Sequence, residues 1–292
     1  TCMNSVKFHF HGKAAHAAGH PFDGRSALDA VELMNVSANY MREHVKPDVR
    51  LHYATICSCA PNVVPDECSV WYYIRAPKRK DVDEVYSWLV DCAKGAALMT
   101  QTKFDIEFLT GCSEVMPNDV LEKVMLQAYK DTGAPKFTPE DYEFAKKMAE
   151  TYPEVLARDR RIMKEEYGVN GDDKFLCDVV FDKVIEDRLV APGSTDVGDV
   201  SHVVPTYQIY VAGQGIGCPG HSWQMTAYSG SHVGFASMLC AAKVLGLSGL
   251  RLLENPELVK EAWDNFHKNQ TEPYVSPLPE GLVPDVEQVK EN

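Results

Sequence analysis

The sequence predicts an α/β chain whose residues 1–115 form a ferredoxin-like βαββαβ domain. Three observations carry this. Apolar residues alternate with polar ones at Val6, Phe8 and Phe10, and again at Phe104, Ile106 and Phe108. Two stretches, 24–44 and 81–100, space their apolar residues as helices do. Between them lie two strand-like runs, Leu51–Cys59 and the β-branched and aromatic Cys68–Arg75, joined by the two-proline turn Pro61-Asn-Val-Val-Pro65.

The elements follow in order. Lys7, His9 and His11 face away from Phe8 and Phe10, which makes a half-buried first strand. Ala27, Leu28, Val31, Met34, Ala38 and Met41 form the stripe of the first helix. Val82, Val85, Leu89, Ala93 and Ala96 form that of the second. Met116-Pro-Asn-Asp119 marks a boundary, and Asn118 or Asp119 can cap a helix running to Asp131. Residues 139–190 are rich in charge. They predict two helices, a loop at Asn170-Gly-Asp-Asp173 and no core strand, and so read as an insertion. Thr206–Ala212 reads as a buried strand, 230–253 as a long apolar helix and 256–268 as another. The tail after Gln270, with Pro273, Pro277, Pro279 and Pro284, reads as irregular. A single strand in this second part leaves its backbone groups in need of partners.

Composition narrows the function. Net charge is −13 and the pI about 5.2, which excludes a nucleic-acid-binding footprint and gives no reason to expect an anionic membrane as partner. An anionic substrate stays open, because a local arginine or a metal overrides the global field. No apolar run reaches the roughly 18 residues of a membrane helix, and no signal-peptide core opens the chain. The nine cysteines contain no Cys-x-x-Cys pair, which suits reduced thiols in the cytoplasm. Asn35-Val-Ser37 and Asn269-Gln-Thr271 match the glycosylation pattern by chance.

Several side chains suit chemistry. His221 follows the loop Gly213-Gln-Gly-Ile-Gly-Cys-Pro-Gly220, expected at a strand end, where α/β sheets place their sites. No Lys-Ser/Thr follows those glycines, which argues against a phosphate loop. His9 and His11 share a strand face at a spacing that suits chelation, but a polar solvent face is the simpler reading. Glu165-Glu166 lies in a charged helix and reads as solvated.

The motifs Gly12-x-x-x-His16-Ala-Ala, Pro61-Asn62-x-x-Pro65, Ile74-Arg75, Gly193-Ser-Thr-Asp196 and Gly220-His221-Ser222 resemble, in this order, those of the dinuclear-zinc peptidase/aminoacylase superfamily. The resemblance implies that 1–115 is a lid and dimerisation domain. Residues 116–292 are then the C-terminal portion of a zinc-peptidase α/β catalytic domain, carrying the helical insertion at 139–190. It implies a C–N hydrolase that cleaves the amide of a small N-acyl amino acid, p-aminobenzoyl-glutamate being the candidate, with two divalent metals per complete site, zinc or else manganese. His16 would donate across the dimer to the developing oxyanion. Asn62 and Arg75 would bind the substrate carboxylate, Asp196 would orient a ligand or the substrate, and His221 would be the last zinc ligand. Asp199 and His202 would line the same cleft. In this superfamily the paired glutamates and other ligands precede the lid, so a chain opening on the lid is expected to be an incomplete, inactive fragment. Partners would be a second lid, in a homodimer or a hetero-oligomer with a related subunit. The alternatives are a non-catalytic dimerisation or ligand-binding module, or another peptidase or deacylase on the same scaffold.

Overall fold

In the computed structural model the alternation around Phe8 extends over ten residues as β1 (Cys2–His11). It is followed by α1 (Ala27–Met41), β2 (Arg50–Ile56), β3 (Glu67–Ala76), α2 (Arg79–Thr100) and β4 (Lys103–Cys112). The four strands make one antiparallel sheet of order β2-β3-β1-β4, the expected ferredoxin-like topology. β2 stops at Ile56, short of the expected Cys59, where the chain leaves for the two-proline turn.

The structure describes residues 1–182 and 193–282. It divides into two compact units. Within the described residues the first holds 1–116, 193–203 and 272–282, and the second holds 117–182 and 204–271.

In the first unit, α1 and α2 cover one face of the sheet. Val6, Phe8 and Phe10 of β1 are fully buried there with Tyr72 and Ile74 of β3, Val31 and Met34 of α1, and Leu89 of α2. Phe8 meets Tyr72 edge-on with centroids 6.1 Å apart. Burying each such side chain stabilises the fold by about 1.5–3 kcal/mol. Ser26 caps α1 by accepting from the Asp29 N–H at 3.1 Å. Inside α1, Asn35 is 8% exposed and accepts from the Tyr72 hydroxyl at 2.5 Å, so its side chain is engaged in the core.

The opposite face carries the polar half of the alternation. His9 bonds Ser69 at 2.7 Å and Glu107 at 3.0 Å. His11 lies between Glu67, at 2.8 Å, and Asp105. This is the polar face expected of the strand, and both nitrogens of each ring are already engaged.

Glu67 first, and Asp105 next, raise the His11 pKa above its usual value. A raised folded pKa gives stability that is fully present below the unfolded histidine value, about 6.5, and is lost as pH rises through the folded value. Glu107 runs the other way: Lys7 holds its pKa low, so its contribution is lost only as pH falls through the acid range. The urea midpoint should therefore decline as pH rises above the unfolded histidine value, about 6.5, and His11→Gln should flatten that decline. An unchanged slope in the variant would remove His11 from this account.

The second unit begins with α3 (Asp119–Thr132), capped by Asn118, whose Oδ1 accepts from Leu121 N at 3.1 Å. α4 (Pro139–Ala149) opens with a capping box between Thr138 and Asp141, and α5 (Pro153–Glu165) follows. These are the two helices expected of the charged segment; its residues 183–190 lie outside the described residues. α6 (Val197–Ser201) belongs to the first unit. α7 (Trp223–Ser229), α8 (His232–Glu254) and α9 (Pro256–Asn269) complete the second. Ala145, Met148 and Tyr152 share a core with Leu176, Ile216, Tyr228 and Val233, so the charged helices are part of the unit's packing. Residues 271–282 hold no helix or strand, as expected of the proline-rich tail; Pro284 lies outside the described residues.

Two expectations are corrected. Residues 206–212 form no strand. Among the described residues of this unit no extended neighbour offers a ladder, and Ile209 and Val211 pack beside Ala128, Tyr129, Cys240 and Val244 instead. The apolar content of α8 also exceeds the expectation: by length and composition this 23-residue helix suffices to cross a membrane. Its buried positions, Val233, Ser237, Cys240, Val244 and Ser248, recur at helical spacing along one stripe, the pattern of a helix packed on a core.

Candidate functional site

The turn after β1 is sutured to the loop between β2 and β3. Gly12 N donates to Asp66 O at 2.7 Å, Ala17 N to Asn62 O at 3.0 Å and Val64 N to Ala15 O at 2.9 Å. Lys13 and Arg25 exchange backbone hydrogen bonds at 2.8 and 2.9 Å, which closes the turn before α1. Gly12 is required by close approach, since a Cβ there would lie 2.0 Å from the Arg25 carbonyl oxygen. His16 therefore sits on a doubly anchored turn, exposed, beside the Asn62 loop.

The His16 ring has a defined tautomer. Its Nδ1 accepts from Ala18 N at 3.2 Å and Gly19 N at 3.0 Å. With two N–H groups donating to Nδ1, the neutral ring carries its proton on Nε2. His16 thus presents an N–H donor held in place by the backbone. Asn62, also exposed, is positioned through its own carbonyl by Ala17.

Arg75, near the end of β3, donates from Nη1 to Ser194 Oγ at 2.8 Å and lies over the Tyr73 ring at 5.3 Å. Stacking and hydrogen bonding fix the guanidinium plane. Sequence reasoning missed Ser194 and Tyr73 as its supports. Ser194 stands in the Gly193-Ser-Thr-Asp196 motif, but nothing local pairs it with a strand 119 residues away. Asp196 follows, exposed, at the start of α6, with Thr195 Oγ1 3.3 Å from its Oδ1.

Asp199 and His202 act as braces. Asp199 accepts from Ser113 N at 3.2 Å and from the Tyr274 hydroxyl at 3.1 Å, and His202 Nε2 bonds Glu114 O at 3.0 Å. They tie the end of β4 to α6 and to the chain around Tyr274. Glu165 is exposed and 3.9 Å from Arg161, as the charged-helix reading expects, whereas Glu166, the C-cap of α5, is half-buried and departs from it.

His221 lies in the second unit, exposed, with a left-handed backbone at φ 54°. Its neighbour Ser222 caps α7 by accepting from Met225 N at 3.2 Å. Two of the preceding glycines, Gly215 and Gly217, serve packing. A Cβ on Gly215 would lie 2.3 Å from the Tyr228 hydroxyl, and one on Gly217 (φ 75°) 2.6 Å from Leu156 Cα. Because 206–212 is not a strand, His221 does not sit at a strand end among the described residues.

Among the described residues no three His, Cys, Asp or Glu side chains form a group able to hold a metal ion. Zinc takes about four ligands, and His221 has no such group around it among the described residues. The described residues of this chain do not by themselves make a dinuclear centre.

Residues 3–98, which contain the sheet's first three strands, nearly all of both covering helices and the His16 turn, match the family model described as the peptidase dimerisation domain. Residues 3–98 belong to this family. His16, Asn62 and Arg75 lie within the dimerisation domain; Asp196 and His221 lie beyond it. The chain is 34% identical to one subunit of the p-aminobenzoyl-glutamate hydrolase of Escherichia coli (strain K12), over 96% of its own length and 60% of the relative's. It is 28% identical to the Xaa-Arg dipeptidase of Mus musculus, over 90% of its own length and 51% of the relative's. It thus spans between half and three fifths of these curated relatives. The crystal structure of the aminobenzoyl-glutamate utilization protein from Klebsiella pneumoniae overlaps 44% of this chain and 33% of its own, at 21% identity and a TM-score of 0.41.

Proposed function

We propose that this chain is part of a metal-dependent amidohydrolase that cleaves the amide bond of an N-acyl amino acid, with p-aminobenzoyl-glutamate as its substrate. The observation that carries the reading is the 34% identity, over 96% of the chain, to a hydrolase named for that substrate. In this reading 1–115 is the lid and 116–292 is part of the catalytic domain.

Each residue then has a task. Arg75 binds the substrate carboxylate, with one donor on Ser194 and the rest of its fork directed to the ligand. Asn62 adds its side-chain amide. His16 Nε2–H donates to the oxyanion as it develops, across a dimer; the bonds to Nδ1 support that role, because they set the donor before reaction. Asp196 orients the substrate or a ligand. His221 is one imidazole ligand to a divalent metal, zinc or manganese, whose other ligands the described residues do not gather. With that incomplete set, the isolated chain is expected to turn over no substrate.

Self-association is proposed through the lid, as a homodimer or with a related subunit. β2 is an edge strand with every residue but Leu51 exposed, including Tyr53 and Ile56. α1 exposes Val36 at 50% and Tyr40 at 74%. Open edges and apolar side chains of this kind invite a second sheet. We place the protein in the cytoplasm, with no nucleic acid or membrane as partner.

Arg75→Lys tests the carboxylate assignment. In the protein at the length its source makes, kcat/KM should fall by the equivalent of about 1–3 kcal/mol, because a point charge replaces a bidentate fork. A substrate whose carboxylate is amidated should show no such loss. Equal loss on both would make Arg75 structural.

A further inference from the structure

We propose that Cys57 and Cys59 form a modification site, a thiol pair that a low-molecular-weight disulfide such as glutathione disulfide converts into a reversible Cys57–Cys59 bond. The placement follows from the fold. β2 ends at Ile56, and Cys57-Ser58-Cys59 begins the loop that leads to Asn62. There the Cys57 thiol donates to Cys59 Sγ at 3.9 Å. Cys59 is exposed and Cys57 half-buried, so an oxidant in solution reaches the pair from the Cys59 side.

A third thiol is close but differently placed. The β2–β3 register pairs Ile56 with Ser69, so Cys57 and Cys68 are the next residues to face each other. Cys68 is 3% exposed and packed in the sheet's core. The Cys57 thiol raises the Cys59 pKa and burial raises that of Cys68, so what separates the two is access: the Cys59 sulfur is open to an oxidant in solution and the Cys68 sulfur is not. Cys68 therefore stays reduced while its two neighbours react.

The exchange balances with the oxidant named. Cys59 as thiolate attacks one sulfur of glutathione disulfide; that S–S bond breaks, and one glutathione leaves and takes up a proton. Cys57 as thiolate then attacks the Cys59 sulfur, forms the intramolecular bond and expels the second glutathione. Two protein thiols are oxidised, and one disulfide is reduced to two thiols. A bridge across a single intervening residue is a small, strained ring, which places it among readily reduced, labile disulfides. It would close the base of the loop whose Asn62 and Val64 backbone groups hold the His16 turn.

The test uses the whole chain, equilibrated with glutathione disulfide, quenched in acid, alkylated and cut after Glu67, which separates Cys68 from the pair. Two of the nine thiols should be lost. The peptide carrying Cys57 and Cys59 should appear lighter by two hydrogens and unalkylated, and dithiothreitol should restore it. Cys57→Ser should accumulate a stable glutathionyl adduct on Cys59. Cys59→Ser should lose thiols more slowly by roughly tenfold or more. Cys68→Ser should react as the wild type does. A bridge that includes Cys68, a stable adduct on Cys59 in the wild type, or a full complement of nine thiols after oxidation would each overturn the proposal.

Discussion

His16→Ala should lower kcat about 10²–10³-fold in the active enzyme while leaving metal content and melting temperature unchanged, the signature of a lost oxyanion donor. The expectation rests on two features. The ring is exposed, so its removal opens no cavity, and its Nδ1 is already bonded to Ala18 and Gly19, so Nε2–H is the group left to act. His221→Ala should behave differently, with metal stoichiometry falling along with activity. Because His16 is proposed to act on the partner's substrate, mixing the two inactive variants should restore part of the activity. Mixed dimers that form and stay inactive would place His16 in its own subunit's site. A fall in melting temperature that matches the fall in rate would make it structural.

Phe8→Ala should be the most damaging change to the fold, costing about 3–5 kcal/mol, as large-to-small substitutions of buried aromatics do. Phe8 is fully buried at the centre of the sheet, edge-on to Tyr72 and 6.5 Å from Phe104. That loss is a large share of the roughly 5–15 kcal/mol typical of a whole domain. Leu98→Ala, on the exposed side of α2 at 82% exposure, should change stability by no more than about 0.5 kcal/mol. Urea unfolding of the two variants checks the contrast. Near-equal effects would mean that the helix-covered face of the sheet is not the core of this unit.

The first unit is legible because its signals are local. Alternation at Val6–Phe10 and Phe104–Phe108, and the helical stripes between them, state which side chains face the core before any partner is known. The caps are legible for the same reason, since Asn118 needs only the N–H three residues on. Residues 206–212 mislead because a run rich in aromatic and β-branched residues makes a strand only where a neighbour shares its hydrogen bonds. α6 escapes notice because five residues carry too few turns for a periodic signal. The return of 193–203 to the first unit rests on contacts such as Ser113 N to Asp199 and Arg75 to Ser194, and Tyr274 of 272–282 joins it through Asp199; no local pattern announces these. At the candidate site the residue types are readable, but their supports are not. That His16 is fixed by its own turn, and Arg75 by Ser194 and Tyr73, emerges only from the fold.

The most direct test of the central claim is amide cleavage itself. The protein should be prepared at the length its source makes and supplied with p-aminobenzoyl-glutamate, and released glutamate should be followed with and without a chelator. The account predicts hydrolysis that stops on chelation and returns with zinc or manganese. A protein that carries its full metal complement yet cleaves neither this compound nor any other N-acyl amino acid would contradict it.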